Sequence, residues 1–326
     1  MAPKRPKPSA KARAKPPATA PLAASGNRVD SERMSAAANE SIAALKERID
    51  EGRRASGVFP ALPEEILQRA ATDDWIGDSS WALTEDAKLL QYGGSKTDFR
   101  STDPWRVMRI MSEFIEGFDK LARIEKGVSI FGSARTHPDD PQYVAAVEVG
   151  RLLGEKGFSI ITGAGPGIME AANKGARLAG APSIGCNIEL PFEQGTNPYV
   201  DTHVAFRYFA VRKTMFIKYS SAFIIFPGGF GTFDELFEAL TLIQTGKISQ
   251  FPVVLFGTHY WAGLVRWLNS KVLAERKISP GDMDLMVVTD DPAEAARVVA
   301  DAYELQLRTA RARADAGGVS PARSHK

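Results

Sequence analysis

The sequence predicts an α/β fold of the Rossmann-like, doubly wound class: a mostly parallel sheet with helices on both faces, preceded by an N-terminal helical extension. From residue 127 onward, short apolar runs alternate with segments whose apolar residues recur every three or four positions. This alternation is typical of parallel strands that are joined by helices. Two glycine-rich turns directly follow apolar runs, at the position where such sheets bind their ligands.

Seven apolar runs between residues 127 and 290 are the candidate strands. Their sequences are VSIFG, FSIITGAG, SIGCNI, HVAF, AFIIFPGG, VVLFG and LMVVTD. The segments between and after these runs have the apolar spacing of amphipathic helices. The predicted helices span residues 141–156, 167–180, 207–219, 232–246, 260–275 and 292–308.

Composition divides the chain into four parts. Residues 1–30 are rich in Pro, Ala and Lys and predict a disordered basic tail. Residues 31–125 predict a helical extension that packs on the core, because apolar side chains near its end follow helical spacing. Residues 126–308 predict the Rossmann-like domain, and residues 309–326 predict a frayed tail. The apolar stripe of the extension comprises Trp105, Met108, Met111, Ile115, Phe118 and Leu121.

Formal charge is unevenly distributed along the chain. The whole chain carries +2, but residues 1–29 hold seven Lys or Arg and no acidic residue. The remainder has 34 basic against 39 acidic residues, a net charge of −5. Because binding to phosphate backbones needs clustered Lys and Arg on the folded surface, nucleic acid is an unexpected partner for the globular part. A weak polyanion-binding arm in the basic tail stays open as an alternative.

Several classes of protein are disfavoured by what the sequence contains. No run approaches about 18 consecutive apolar residues, and no apolar segment follows the basic N-terminus as a secretory signal requires. We therefore expect a cytoplasmic protein without a membrane partner. Cys186 is the single cysteine and the four histidines lack ligand spacing, so we expect no metal site. Cys186 itself is expected to be a buried small side chain rather than a nucleophile.

The first glycine-rich turn, TGAGPGIMEAANKGA, follows the second candidate strand. A dinucleotide fingerprint starting at Gly163 would need a glycine at position 168, where the chain has Ile168. Gly163 and Gly165 still let the backbone approach a ligand closely. Tight packing of the strand onto the next helix explains the same glycines equally well, so both interpretations stay open.

The second glycine-rich turn, FPGGFGTFDELFEAL, is the stronger candidate. The glycines Gly228, Gly229 and Gly231 free the backbone to point several N–H groups inward. A helix that begins at Thr232 would add its positive end, which together with the amides forms a site for a phosphate. The loop contains no Lys, so dipoles rather than a point charge would hold the anion, which favours a monophosphate over a triphosphate.

Glu235 has two interpretations. The sequence Thr232-Phe233-Asp234-Glu235 fits a capping box, in which Glu235 bonds back to the Thr232 amide. Alternatively, Glu235 acts on a ligand. Asp234 and Glu235 would repel a phosphate at the same helix end, so Glu235 is expected to lie to the side, where a sugar attached to the phosphate could bind.

Arg212 is the candidate cation. In a helix over residues 207–219 it shares a face with Phe209, Phe216 and Tyr219, so it is expected to point inward and to bind an anion. A structural ion pair or an outward-pointing side chain is the alternative. Lys213 diverges from Arg212 by about 100° and is expected to be solvated. The turn FGSARTHP adds Gly132 and Ser133 at a strand end, where they could contact a nucleotide.

These motifs resemble those of the Lonely Guy family of cytokinin-activating nucleoside 5′-monophosphate phosphoribohydrolases. The segment PGGFGTFDE, residues 227–235, is similar to the family signature P-G-G-x-G-T-x-x-E. The GSAR turn, the GAGPGIMEAA turn and the pair Arg212 and Lys213 are similar to further family elements in the same order. The resemblance covers about residues 105–300.

The resemblance implies a function and a set of site residues. It implies that residues 126–308 form a catalytic domain that cleaves the N-glycosidic bond of (N6-substituted) adenosine 5′-monophosphates. Arg212 and Glu235 correspond to the family's catalytic pair, with Lys213 and the glycine turns binding substrate. Homodimers or hexamers whose active sites are shared between subunits are also implied. The sequence departs in two places from the shorter members of the family. The residues before Arg212 are FAV, and the chain has a helical extension over residues 34–104.

Two other functions can be weighed against the hydrolase. Members of the family have also been described as possible lysine decarboxylases, but a pyridoxal phosphate enzyme needs a lysine beside its phosphate site. Neither glycine turn offers one, so no cofactor is expected. A non-catalytic nucleotide or molybdenum-cofactor carrier could use the same phosphate site. Such a carrier would not require both Glu235 and an inward-pointing Arg212, and this combination favours the enzyme.

Overall fold

A computed structural model describes residues 84–90, 102–190 and 195–315, with side chains as far as residue 312. The expected tail over residues 1–30 and the part of the expected helical extension over 31–83 and 91–101 lie outside these ranges. The boundaries of the four parts of the chain therefore stay predictions.

Seven parallel strands form one sheet, in the order β4-β3-β2-β1-β5-β6-β7. All seven strands expected from the apolar runs are present, and every pairing is parallel. Strand β1 lies centrally, where Ser129 pairs with Ile161 on one side and Phe223 on the other. The strands are β1 Gly127–Phe131, β2 Ser159–Thr162, β3 Ser183–Ile188, β4 Thr202–Phe206, β5 Phe223–Ile225, β6 Val253–Phe256 and β7 Met286–Thr289.

Eight α-helices occur in the described part of the chain, together with one π-helical turn at Leu268–Leu273 and one 3-10 helix at Pro280–Leu285. Two helices, α1 and α2, precede the sheet, and the other six connect its strands or follow the last one. They are α1 Glu85–Leu90, α2 Asp103–Leu121, α3 Pro141–Glu155, α4 Ile168–Leu178, α5 Phe209–Tyr219, α6 Phe230–Gln244, α7 Thr258–Trp267 and α8 Pro292–Asp315.

Several helix boundaries differ from the sequence prediction. Helix α5 begins at Phe209 rather than at residue 207. Helix α6 begins at Phe230 rather than Thr232. The helix expected over 260–275 starts at Thr258 and changes to π-helical geometry at Leu268. Helix α8 continues to Asp315 rather than ending at 308, because the Ala- and Arg-rich segment that follows consists of strong helix formers.

The core consists of two apolar layers, one on each face of the sheet, as the doubly wound class predicts. Successive residues of β1 point to opposite layers: Ile130 joins one and Phe131 the other. Phe131 packs edge-to-face against Phe216 of α5 and Phe223 of β5, with ring centroids 4.9 Å apart in both pairs. Parallel strands are buried on both faces, which is why they appear in the sequence as continuous apolar runs.

Helix α2 packs on the domain with a different face from the predicted one. Of the expected stripe, Leu121 is buried, but Met111 and Ile115 are 57% and 68% exposed. The buried positions of α2 are Glu113, Gly117 and Leu121. The packed face also includes the partly buried Ile110 and Phe114, which the predicted stripe left out. Apolar spacing alone did not separate this face from the exposed one, because a glutamate and a glycine share it.

Within the described ranges, no helix combines the length and apolar character that crossing a membrane requires.

Candidate active site

The direction of the chain around the sheet reverses between β1 and β5. Strands β1 to β4 are added towards one edge, and β5 to β7 are added on the other side of β1. In open sheets, this reversal opens a crevice at the carboxyl ends of the strands. The turns after β1, β2 and β5 meet there, and they carry the sequence-predicted residues of all three glycine-containing motifs.

Ser133 connects these three turns through its backbone. Its amide donates to the Pro227 carbonyl at 2.9 Å, and its carbonyl accepts from the amide of Ile168 at 3.1 Å. The structure therefore brings Gly132 and Ser133 next to both glycine-rich turns. A Cβ at Gly132 would lie 2.7 Å from the Ile168 side chain, so this glycine is needed for close packing of α4.

Helix α6 begins in the second glycine turn, with Gly229 at its N-cap and no side-chain cap. The capping-box interpretation of Thr232 and Glu235 is therefore wrong, because Thr232 lies within the first turn of the helix. The Thr232 amide donates to the carbonyl of Gly229 at 2.9 Å. In the ranges that the structure describes, the amides of Gly229, Phe230 and Gly231 donate no hydrogen bond. These are the N–H groups that a helix start leaves available to an anion.

The three glycines of this turn have different roles. A Cβ at Gly228 would lie 2.1 Å from Thr232 Oγ1, so Gly228 is required by the fold of the turn. A Cβ at Gly229 or Gly231 would meet nothing within 4 Å. These two positions therefore border open space beside the available amides, where a ligand could lie. Tyr260, which the sequence analysis did not single out, donates its hydroxyl to the Gly228 carbonyl at 2.7 Å.

Arg212 lies on α5 and its guanidinium reaches the first glycine turn. Its Nε donates to the Cys186 carbonyl at 2.9 Å, and a Cβ at Gly163 would be 2.6 Å from its Nη2. Gly163 thus leaves the space that the guanidinium occupies. The guanidinium also stacks near Phe216, 5.1 Å from the ring centroid. Burial lowers the pKa of Arg212, and the charge of Glu235 opposes that shift. The expected inward orientation of Arg212 is confirmed by these contacts.

Lys213 is ion-paired rather than solvated, which corrects the expectation from helical geometry. Its side chain is 16% exposed, with Nζ 2.8 Å from Asp234 Oδ1 and 2.9 Å from Glu238 Oε2. Burial alone would lower the pKa of Lys213, but the hydrogen bonds to these two carboxylates outweigh burial and raise it. Lys213 therefore links α5 to α6, and its binding to substrate stays a prediction.

Glu235 is a buried carboxylate on α6, just after the turn that contains the available amides. It is 5% exposed, and within the part of the chain that the structure describes its Oε2 atom has no hydrogen-bond partner. Burial raises the pKa of Glu235 to about 7, although the positive charges of Lys213 and Arg212 act in the opposite direction. A buried acid without a full set of partners is costly for stability, which is typical of a group retained for chemistry.

The first glycine turn is held by a buried polar network that the sequence analysis missed. The Asn197 side chain donates to the carbonyls of Ala164 and Gly165 at 3.1 and 3.0 Å, and to Asn173 Oδ1 at 3.0 Å. Thr162 donates to the same Asn173 oxygen at 2.6 Å. Ala164 adopts a positive φ of 67°, which is unfavourable for a residue with a Cβ. The network thus fixes Gly165 and its neighbours, and it holds the turn in this strained shape.

Cys186 is fully buried, and burial raises the pKa of its thiol to about 12. The expectation of a buried side chain is confirmed, and a thiol with this pKa is a poor nucleophile. Among the described residues, no group of three or more His, Cys, Asp or Glu side chains could hold a metal ion.

The fold and the site together define an α/β protein with a helix start at the switch point of its sheet whose amides are available, beside a buried glutamate and an inward-pointing arginine. The profile of the family described as "Possible lysine decarboxylase" matches residues 169–299. Over 157 residues, the chain is 31% identical to the cytokinin riboside 5′-monophosphate phosphoribohydrolase of Mycobacterium tuberculosis, covering 48% of this chain and 83% of that protein.

Two further similarities are more distant. Over 188 residues, the chain is 29% identical to the pyrimidine/purine nucleotide 5′-monophosphate nucleosidase of Escherichia coli, covering 55% of this chain and 41% of that longer protein. The molybdenum cofactor carrier protein from Chlamydomonas reinhardtii superposes with a TM-score of 0.42 and 25% identity, covering 55% of this chain and 97% of the carrier. The chain belongs to the Lonely Guy family, the cytokinin riboside 5′-monophosphate phosphoribohydrolases.

Proposed function

We propose that this protein hydrolyses the N-glycosidic bond of nucleoside 5′-monophosphates and releases the free base and ribose 5-phosphate. One observation carries the proposal: the buried carboxylate of Glu235 follows a helix start with available amides, and the guanidinium of Arg212 is close enough for its charge to act on that carboxylate. The named activities of the Mycobacterium tuberculosis and Escherichia coli relatives support the same reaction.

The proposed mechanism assigns a role to each part of the site. The amides around Gly228, Gly229, Gly231 and Thr232 bind the phosphate. Cleavage proceeds through an oxocarbenium-like sugar, so a carboxylate close to the anomeric carbon stabilises the positive charge that develops there. Glu235 takes this role and activates the attacking water. Arg212 orients the nucleotide and offsets negative charge on the phosphate or the leaving base.

The finer assignments belong to the same proposal. Adenosine 5′-monophosphates, including N6-substituted ones, are the proposed substrates, with Gly132, Ser133, Gly163, Gly165 and Lys213 contributing to binding. We further propose that the chain acts in the cytoplasm as a homodimer or hexamer with shared active sites. The exposed apolar side chains of α2, such as Met111 and Ile115, support association between copies.

The test is the release of free base from a panel of purified nucleoside monophosphates: adenine, guanine, cytosine and N6-substituted adenine nucleotides. We expect Glu235→Gln to lower turnover of the best substrate by about 100-fold or more, because it removes a preorganised charge. Glu155→Gln is the control, since Glu155 is an exposed carboxylate on α3 that is ion-paired with Arg151. Thermal unfolding of both variants checks that they are folded.

Two outcomes would contradict the proposal in different ways. Binding of nucleotide by the wild-type protein without release of base would indicate a carrier, such as a nucleotide or molybdenum-cofactor carrier. Hydrolysis by Glu235→Gln at close to the wild-type rate would keep the enzyme but refute the role of the carboxylate.

A further inference from the structure

Three consecutive amides at the start of α5 bind carboxylates that come from the N-terminal helices. The amides of Arg207 and Tyr208 donate to Glu113 Oε2 of α2, at 3.0 and 3.3 Å. The amide of Phe209 donates to Asp86 Oδ2 of α1, at 2.8 Å. The amides at the start of the helix that carries Arg212 are thus bound by two acidic side chains, and both come from helices that precede the sheet.

Glu113 is the more firmly built of these two contacts. It is 4% exposed, and its other oxygen, Oε1, lies 3.5 Å from the guanidinium of Arg207. A carboxylate is retained in a buried position when it is paired and hydrogen-bonded. Its negative charge also lies at the positive end of the α5 dipole. Glu113 therefore satisfies amides that a helix start otherwise leaves without partners.

Helix α2 contacts both ends of α5. Near the middle of α5, Met215 lies 3.0 Å from the position that a Cβ at Gly117 of α2 would take, so the glycine lets the two helices approach closely. At the far end of α5, the Tyr219 hydroxyl donates to the Phe118 carbonyl of α2 at 3.3 Å. Helix α2 therefore contacts α5 at its start, in its middle and at its end.

The contact with Glu113 is one hydrogen bond away from Arg212. The Arg212 amide donates to the carbonyl of Tyr208 at 3.2 Å, and Tyr208 is one of the two residues whose amides bind Glu113. The guanidinium fits between the Cys186 carbonyl, to which its Nε donates, and Gly163. Movement of residues 207–208 would therefore strain these contacts or pull the guanidinium out of them.

We propose that Glu113 is a positioning residue for Arg212, and that the helices preceding the sheet hold the catalytic arginine in place. This inference rests on the proposed function, in which Arg212 orients the nucleotide. Glu113 acts through the start of α5 and does not touch substrate.

The first experiment compares three variants in the nucleotide hydrolysis assay. Glu113→Ala removes the acceptor, and we expect kcat to fall by roughly 10- to 100-fold, since a displacement of about 1 Å in a catalytic group has that effect. Glu113→Gln keeps an oxygen acceptor and should recover activity to within about fivefold of wild type. Glu116→Ala is the matched control on the same helix, because Glu116 is ion-paired with Lys120 at the exposed surface.

A double-mutant cycle separates positioning from a general loss of stability. In an Arg212→Lys background, where the guanidinium is already absent, Glu113→Ala should lower the remaining activity by less than about threefold. An equal loss in both backgrounds would overturn the proposal. Should Glu113→Ala fail to fold, the shorter carboxylate of Glu113→Asp replaces it in the same cycle.

Amide hydrogen exchange provides a readout that does not depend on activity. Exchange of residues 207–212 should be faster in Glu113→Ala than in wild type or Glu116→Ala, with the sheet unchanged. Unchanged exchange at residues 207–212 would refute the inference even if activity fell. Conversely, a wild-type protein that releases no base would refute the proposed function, while faster exchange would still show that Glu113 holds the start of α5.

Discussion

The protonation state of Glu235 determines how the proposed chemistry depends on pH. Burial raises its pKa to about 7, so the carboxylate is only partly ionised at neutral pH. Because the ionised form would stabilise the developing positive charge, kcat/KM for adenosine monophosphate should increase with pH and level off above about 8. A pH–rate profile of the wild-type enzyme measures this, and a profile that is flat across neutrality would contradict it.

The stability of Glu235→Gln is an independent check on the same pKa. The unfolded chain loses the Glu235 proton near its ordinary pKa of 4.5, whereas the folded chain keeps it until about 7. The stabilising effect of this raised pKa is complete below 4.5 and is lost as pH rises through about 7. Glu235→Gln does not titrate, so its stability relative to wild type should increase by about 1–3 kcal/mol over this range. Urea unfolding of both proteins at about pH 5 and about pH 8, below and above the raised pKa of Glu235, measures the difference.

Gly228 and Gly229 of the second turn form a matched pair for substitution, because the first is needed for the fold of the turn and the second borders open space. Gly229→Ala places a methyl group in open space beside the available amides, so we expect a folded protein with KM for nucleotide raised at least about tenfold. Gly228→Ala places it 2.1 Å from Thr232 Oγ1, so we expect a loss of stability of about 1–3 kcal/mol. Melting temperatures and Michaelis kinetics of both variants distinguish these effects. A Gly229→Ala protein with unchanged KM would show that the phosphate binds elsewhere.

At the scale of single residues, the sequence predicted which way a side chain points better than which residues it contacts. The inward orientation of Arg212 follows from its position among aromatic residues on one helical face, and the structure confirms it. The surroundings of Lys213 could not be predicted in this way, because its partners Asp234 and Glu238 lie on another helix. Helical spacing gives the angle of a side chain but does not show which neighbouring element it meets.

At the scale of elements, burial decides what is predictable. The seven strands could be predicted because parallel strands under two layers of helices form apolar runs. The start of α6 could not, because Thr232-x-x-Glu235 has the pattern of a capping box and a Gly-Phe-Gly segment resembles a loop. The structure shows Gly229 as the N-cap instead. Six residues of the signature, Phe230 to Glu235, therefore lie inside the helix, which places Glu235 further from the helix start than its sequence suggests.

The contacts of the N-terminal helices show a second limit of prediction at this scale. Glu113 and Arg207 are 94 residues apart in sequence, and a single sequence contains no signal that joins them. Asn173 and Asn197 are similar: each looks like an ordinary polar residue, yet together they fix the turn that carries Gly163 and Gly165. Polar contacts between distant segments require the fold to be known first.

At the scale of the whole molecule, the site lies where the two halves of the sheet meet. The turns after β1 and β2 belong to the half that leads to β4, whereas the turn after β5 begins the other half. The backbone bond from Ser133 to Pro227 connects them directly. A ligand in this crevice would add contacts to both halves at once, so its binding should be visible in the stability of the whole domain.

Nucleotide binding should therefore raise the melting temperature of the inactive Glu235→Gln protein. At a concentration of about 100 times Kd, ligand adds about 2.7 kcal/mol of stability, which corresponds to roughly 5–10 °C for a domain of this size. Because the available amides bind the phosphate, adenosine monophosphate and ribose 5-phosphate should both produce a shift, and adenosine should produce little at the same concentration. Equal shifts with adenosine and its monophosphate would contradict the phosphate site. A shift with the monophosphate that Gly229→Ala abolishes in the same background would place the phosphate at the start of α6, where the two halves of the sheet meet.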